Sequence, residues 1–276
     1  MNQKLIRITT VPLSLDKLIE GQLAFMKSNY EVLAVSSGDE TLTQVAKKEG
    51  VRVVPIEMSR AITPFKDIKA VWQLYKLFKK EQPFIVHTHT PKAGIVGMLA
   101  AKIAKVPIRL HTVAGMPLLE ATGIKRTVLN IVERLTYSCA IKVYPNSKGL
   151  EQFIIANNFT KTHKLKVLAN GSSNGIDTSY FNPQLFSDTQ NEALKQQLGI
   201  ATNDVVFIFV GRLVGDKGIN ELVQAFKELE GNRQEAIGNN RQVAIGNRQL
   251  EEVQNSKLLL VGPLETALDP LLPETL

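Results

Sequence analysis

The residues best suited to chemistry lie in one short stretch, Gly211-Arg212-Leu213-Val214-Gly215-Asp216-Lys217-Gly218. It follows a strand-like apolar run, Asp204–Val210, and opens a helical pattern that continues to about Glu230. Glycine lets backbone approach a bound group closely. A helix N-terminus offers unpaired N–H groups and a positive dipole end to an anion. Arg212 can grip phosphate oxygens through its planar fork, and Lys217 adds a point charge. Such a set suits a diphosphate leaving group, whose developing charge needs stabilising. The same residues also read as a glycine turn with two solvated cations, because short Gly/Lys patterns match by chance.

Histidines form the second group. His87 and His89 sit on one strand and are expected to face opposite sides, so that they do not share a metal; no third ligand is evident. His89, nearer the strand end, is the better site candidate. Lys92, in the first turn of the next helix, could meet an anionic acceptor group, or be an exposed surface lysine. His111 and Thr112 end the following strand, with Gly115 just beyond; His111 also reads as a core or surface histidine. The first loop, Thr10–Ser14, lacks a glycine-rich fingerprint, which disfavours a dinucleotide-binding enzyme.

These residues need a frame, and the sequence supplies one. Strand-like runs fall at Leu5–Thr9, Glu31–Ser36, Val51–Pro55, Phe84–Thr88, Ile108–Val113, Ile141–Tyr144 and Lys166–Ala169. Amphipathic stretches lie between them, at Asp16–Ser28, Lys66–Glu81, Lys92–Ala104, Lys125–Tyr137 and Lys148–Asn158. Alternation of this kind predicts an α/β fold, a parallel sheet with helices on both faces. Its strands read as near-continuous apolar runs, as burial on both faces requires. Ligands of such sheets bind beyond the strands' carboxyl ends. Residues 1–170 are expected to form this domain and 171–185 a connection. Residues 186–276 then begin a second Rossmann-like domain, with a helix at Asn191–Leu198 and a strand at Leu258–Val261. Asn232–Gly238 recurs at Asn240–Gly246, and Asn-Arg-Gln returns at 247–249. Residues 232–249 therefore read as an insertion, a surface loop or a frayed helix extension. The second sheet looks unfinished at Leu276, so a truncated chain is expected.

Bulk properties narrow the classes. The chain has 276 residues, 44% of them apolar and 21% charged, which is enough for a core and ordinary for a globular protein. Thirty-three Lys and Arg against 26 Asp and Glu give a net charge of +7, which favours anionic partners. Nucleic acid ranks low, since no basic helix or zinc spacing appears. One cysteine, Cys139, excludes an internal disulfide framework and sits in an apolar run, as a structural thiol does. No apolar stretch reaches membrane-span length, and the N-terminus resembles no cleaved signal. The cytoplasm is the expected location.

Several segments together resemble retaining GT-B glycosyltransferases of the large family four. Gly211-Arg212-Leu213 with Lys217-Gly218 is similar to that family's donor-phosphate motif. Asn170-Gly171-Ser172-Ser173-Asn174-Gly175-Ile176-Asp177, with Phe181 after it, resembles its connection into the second domain. Thr88-His89-Thr90-Pro91-Lys92-Ala93-Gly94 resembles a segment after its fourth strand, and Glu133-Arg134-Leu135 and Pro145-Asn146-Ser147 match further pieces in order. The resemblance implies a GT-B fold and transfer of a sugar from a nucleotide-diphosphate donor to a glycan or lipid-linked acceptor, in surface polysaccharide or glycolipid biosynthesis. It implies donor contacts from Gly211, Arg212, Lys217 and Gly218, acceptor-side contacts from His89, Lys92 and Gly115, and a hinge at Asn174, Gly175 and Asp177. Retention of configuration follows, with no metal and no cofactor beyond the donor. Peripheral contact with an anionic inner membrane face also fits. Two departures stand out. Many members carry a histidine where Ala114 stands, which leaves His111 and Thr112 as the catalytic candidates. The family's paired-glutamate motif has no counterpart, so the 276-residue chain is expected to bind diphosphate weakly or not at all and to transfer no sugar. The alternatives are an inactive remnant, an acceptor-binding module, or a GT-B sugar-nucleotide epimerase.

Overall fold

Six apolar runs in the first part of the chain become parallel strands, each returning to the sheet through a helix. The computed structural model describes residues 3–119, 121–172, 175–238, 244–245, 248–249, 255–264 and 270–275. The chain divides into two compact units, Met1–Asp177 and Thr178–Leu276.

In the first unit the strands are β1 (Lys4–Ile8), β2 (Glu31–Ser36), β3 (Arg52–Pro55), β4 (Ile85–His89), β5 (Ile108–Val113) and β6 (Lys142–Pro145), in the order β3-β2-β1-β4-β5-β6. All pairings are parallel. This is the Rossmann-like order, and its direction reverses between β1 and β4, the step where open α/β sheets form a binding crevice. The crossovers are a wide helical turn at Ser14–Leu18 with α1 (Gln22–Lys27), then α2 (Glu40–Glu49), α3 (Pro64–Glu81), α4 (Pro91–Ile103) and α5 (Gly123–Cys139); α6 (Lys148–Ala156) follows β6.

Strand alternation sorts the side chains into two layers. Ile6, Ile8, Leu33, Val35, Val86 and Val113 pack with residues of α3, α4 and α5. Leu5, Val32, Ala34 and Ile85 face the other way, onto Leu15, Ile19, Leu23, Leu42 and Val45. The helix expected over Asp16–Ser28 is broken: Gly21 takes a left-handed φ of 74° and restarts the chain as a six-residue α1. Glu49 fixes that restart, its carboxylate accepting from Gly21 N–H at 2.7 Å and Ala24 N–H at 2.8 Å. Helix α2 is additional to the stretches named above; Asp39 caps it by accepting from Leu42 N–H. The strand expected at Lys166–Ala169 does not form. Leu165 makes one bridge to Val143, and the residues after it turn outward, with Leu168 half exposed.

In the second unit α7 (Asp188–Gln197) precedes β7 (Val205–Val210), which pairs in parallel with β10 (Ser256–Val261). Helix α8 (Ile219–Gly238) follows β7 and continues through the first copy of the repeat; β8 (Ala244–Ile245) and β9 (Arg248–Gln249) pair antiparallel within the rest. How the repeat's side chains pack lies outside the described residues. Burial on both faces does not extend to β7. Phe207 meets Phe226 of α8, whereas Ile208 and Val210 are 64% and 72% exposed on the opposite face.

Candidate functional site

At the switch between β1 and β4 the sheet carries polar side chains where apolar ones would ordinarily sit. Arg7 on β1 and His87 on β4 are register partners, and His89 pairs with Thr112 of β5. Arg7, His87, His89, Thr112 and Tyr144 all line one cavity of about 150 Å³ beside α1. The expectation that His87 and His89 face opposite sides is therefore corrected. Residues two apart on a strand share a face, and the two imidazoles lie 4.3 Å apart, centroid to centroid. Metal-ligand groupings are absent among the described residues.

Arg7 organises this cavity. Only 1% exposed, it donates from Nε to His89 Nε2 at 3.1 Å and from Nη2 to Gln22 Oε1 at 2.9 Å. Among the described residues it has no carboxylate partner. Burial without one pulls its pKa down to about 10, so it stays charged at neutral pH. An arginine can only donate, so His89 Nε2 accepts and the ring proton of His89 sits on Nδ1. That Nδ1 is buried and makes no hydrogen bond. His87 Nε2 meets Thr112 Oγ1 at 2.8 Å. Burial first, then the neighbouring positive charge and imidazoles, hold His87 and His89 well below the usual histidine range. Both are neutral at pH 7.

Segments distant in sequence close the cavity. Pro145, Asn146, Leu168, Gly171 and Ser172 form its far wall. Ser172 N–H donates to the Asn146 carbonyl at 2.6 Å. Gly171, at φ 91°, lies so close that a β-carbon there would come within 2.4 Å of the same oxygen. The resemblance to a known family rests partly on His89, on Pro145-Asn146 and on Gly171-Ser172, and these now line one cavity.

His111 and Thr112 part company. Thr112 faces the cavity, whereas His111 is buried on the opposite sheet face, its Nδ1 2.8 Å from Thr88 Oγ1 and its ring 5.9 Å from that of Tyr137. Gly94 of α4 packs on it, since a β-carbon at Gly94 would lie 2.6 Å from His111 Cε1. Adjacent strand residues point to opposite faces, so the pair cannot serve one site side by side. Burial lowers the His111 pKa to about 4.

Lys92 lies elsewhere too. Its Nζ pairs with Asp67 at 2.6 Å and is largely enclosed, not free on the surface. It lines a groove of about 550 Å³ with walls from α3 (Ile68, Val71) and α5 (Val128, Leu129) and a floor from α4 (Ile95, Leu99). Arg60 and Lys125 also border it. Phe65 and Ile124, on the same two helices, are 90% and 85% exposed. Gly115 lines neither space and has open surroundings.

In the second unit Gly211–Gly218 links β7 to α8. The turn is held to the neighbouring strand end, Gly211 N–H donating to Val261 O and Leu213 N–H to Pro263 O, each at 2.9 Å. Gly262 fits only because it lacks a side chain; a β-carbon would stand 1.7 Å from the Gly211 oxygen. Gly215–Lys217 form a short 3₁₀ turn, Gly218 takes φ 71°, and α8 starts at Ile219. Lys217 is exposed and Arg212 lies 3.5 Å from Asp216. Arg212, Lys217 and the start of α8 thus lie on one strand–turn–helix segment. Of the hinge residues, Gly175 and Asp177 are exposed and Asn174 lies outside the described residues. What sequence reasoning missed is Arg7; its signal is a lone charge in the apolar run Leu5-Ile6-Arg7-Ile8, in phase with the apolar positions Leu5 and Ile85 that pack beneath the cavity.

Comparison with known proteins adds a family to this geometry. A family model described as glycosyl transferase 4-like domain matches residues 22–171, and one described as glycosyl transferases group 1 matches residues 190–261. The capsular polysaccharide biosynthesis glycosyltransferase CapM of Staphylococcus aureus is 38% identical over 267 residues, covering 96% of this chain and 62% of the relative. An Escherichia coli UDP-Gal:α-D-GlcNAc-diphosphoundecaprenol α-1,3-galactosyltransferase is 33% identical over 177 residues, 63% of this chain and 44% of that protein. The chain thus spans less than two thirds of either relative. A glycosyltransferase structure from Rickettsia africae superposes with a TM-score of 0.59 at 17% identity, covering 95% of this chain and 69% of the other, and so shares the fold.

Proposed function

The chain belongs to the glycosyl transferase 4-like family, and from that membership we propose that it serves sugar transfer from a nucleotide-diphosphate sugar to a lipid-linked or glycan acceptor, in the assembly of a surface polysaccharide or glycolipid. The observation that carries this reading is the turn Gly211–Gly218, which brings two cations to the start of α8. There a diphosphate would meet the fork of Arg212, the Lys217 ammonium and unpaired helix N–H groups. Those charges do the work a metal would otherwise do, so transfer is metal-independent in this reading, and it retains configuration at the sugar. The matches of both parts of the chain to glycosyl transferase families favour transfer over epimerisation.

On the acceptor side, His89 and Thr112 border the reacting region, while His111 packs beneath it. Gly175 and Asp177 belong to the hinge. The apolar groove between α3 and α5, with Arg60 and Lys125 at its border, suits contact with an anionic lipid surface. The names of the two bacterial relatives, one capsular and one acting on a diphosphoundecaprenol-linked sugar, support the same class. The protein would then work at the inner membrane face, held peripherally; no described helix is long and apolar enough to cross a membrane.

Calorimetric titration of the chain with UDP, GDP and ADP tests the donor half. At least one should bind, EDTA should leave binding unchanged, and Arg212→Ala should weaken it about tenfold or more, the loss of one charge-assisted contact. Binding indifferent to Arg212→Ala would overturn the assignment.

A further inference from the structure

A buried, charged arginine without a carboxylate is costly to keep. The effective penalty for an unpaired interior charge runs to several kcal/mol. Arg7 nevertheless stands in the middle of the sheet, with neutral partners only. Two of its five N–H donors are used there, and among the described residues the remaining three meet no hydrogen-bond partner. It faces a space roughly ten times what a single water needs. A second group beside it is also unsatisfied, the buried Nδ1–H of His89. The Thr112 hydroxyl and the Ser172 main chain complete the lining. All of this converges at the step where the strand order reverses.

We propose that this cavity is an oxyanion seat that takes a phosphoryl group of the acceptor, with Arg7 as its counter-charge and the Thr112 hydroxyl as a hydrogen-bond donor. A carboxylate would be saturated by the planar arginine fork alone. A phosphoryl group presents three oxygens in a pyramid and so can use donors arriving from β1 and β5 together. The seat is built from residues of the first unit, whereas the Gly211–Gly218 turn belongs to the second. That the seated phosphoryl belongs to an acceptor rests on the function proposed above; that the cavity binds phosphate does not.

The four histidines report on the seat by proton NMR of the full chain. Inorganic phosphate should shift the ring signals of His87 and His89 and leave His111, on the opposite sheet face, and His163 unmoved. Arg7→Gln should weaken the response at least tenfold while the His111 signal stays in place, showing an intact sheet. Should Arg7→Gln fail to fold, Thr112→Val supplies the test and should weaken binding severalfold. Acetate should not compete. Farnesyl phosphate should displace inorganic phosphate, as an acceptor's phosphoryl ester would. Phosphate that shifts neither His87 nor His89, or shifts them equally in Arg7→Gln, overturns the seat. Phosphate binding that farnesyl phosphate cannot displace overturns its acceptor role and leaves the donor reading untouched.

Discussion

Arg7 Nε donates to His89 Nε2 across the β1–β4 step at 3.1 Å, and so places the imidazole proton on the nitrogen that has no partner. The arrangement serves ligand chemistry at the expense of stability. Replacing buried charges by apolar groups of similar volume is often neutral or stabilising by about 1–4 kcal/mol. Arg7→Met should therefore unfold at a urea concentration equal to or above that of the parent, while losing all response to phosphate. A loss above about 2 kcal/mol would mean that Arg7 is structural.

Stability should fall on mild acidification. His87, His89 and His111 all have folded pKa values below the unfolded value near 6.5, that of His111 at about 4. Below pH 6.5 the unfolded chain binds more protons than the folded one. The histidine contribution is thus complete above 6.5 and is lost as pH drops toward 4. Glu133, pushed up by burial, titrates in the opposite sense and offsets part of the loss. Urea unfolding at successive pH values should show the slope, and His111→Asn should reduce it by up to about 1.4 kcal/mol per pH unit, the equivalent of one proton. A slope unchanged by that substitution would contradict the burial described.

Gly262→Ala should disable the Gly211–Gly218 turn without touching it. The added methyl would collide with the Gly211 carbonyl, and the backbone there, at φ 152°, already disfavours a side chain. Nucleoside-diphosphate binding should drop at least tenfold, with the first unit's histidine spectrum unaltered. Binding at the parent level would show that the turn does not depend on this close approach.

The groove offers a fluorescent reporter. Trp72, the sole tryptophan, sits half exposed on α3 beside Lys76, four residues on from Ile68 at the groove wall. Anionic vesicles should shift its emission to the blue, and high salt should weaken the effect, since each near-surface cation contributes about 1 kcal/mol of screened attraction. Ile68→Glu should abolish it. Equal response to neutral vesicles would remove the electrostatic part of the argument.

The sheet was legible because its strands are short apolar runs alternating with amphipathic ones, and parallel connectivity leaves few orders open. The Gly211–Gly218 turn was legible for the same local reason, a strand followed by glycines and cations and then a helix. Helix α2 carried its signals as well, Asp39 before it and Gly50 after, but it is shorter and more polar on average than α3 or α5 and so stands out less. Lys166–Ala169 misled because an apolar run says nothing about whether a partner strand is present to receive it. The polar cavity was the hardest part to read. Arg7 looks ordinary until the strand order brings it beside β4, and only then do His87 and His89, two residues apart, disclose a shared face.

Arg7 has a further consequence, for the folding chain itself. The run from Leu5 to Ile8 is apolar on either side of it, and apolar contacts alone hardly distinguish one alignment of β1 from the next. A slip of one residue would exchange the two faces of the strand. The guanidinium would then enter the layer that Ile6 and Ile8 share with α3 and α4, which is built mainly of apolar side chains. One charge thereby acts as an alignment key for the central strand, rejecting every odd-numbered slip before any ligand arrives.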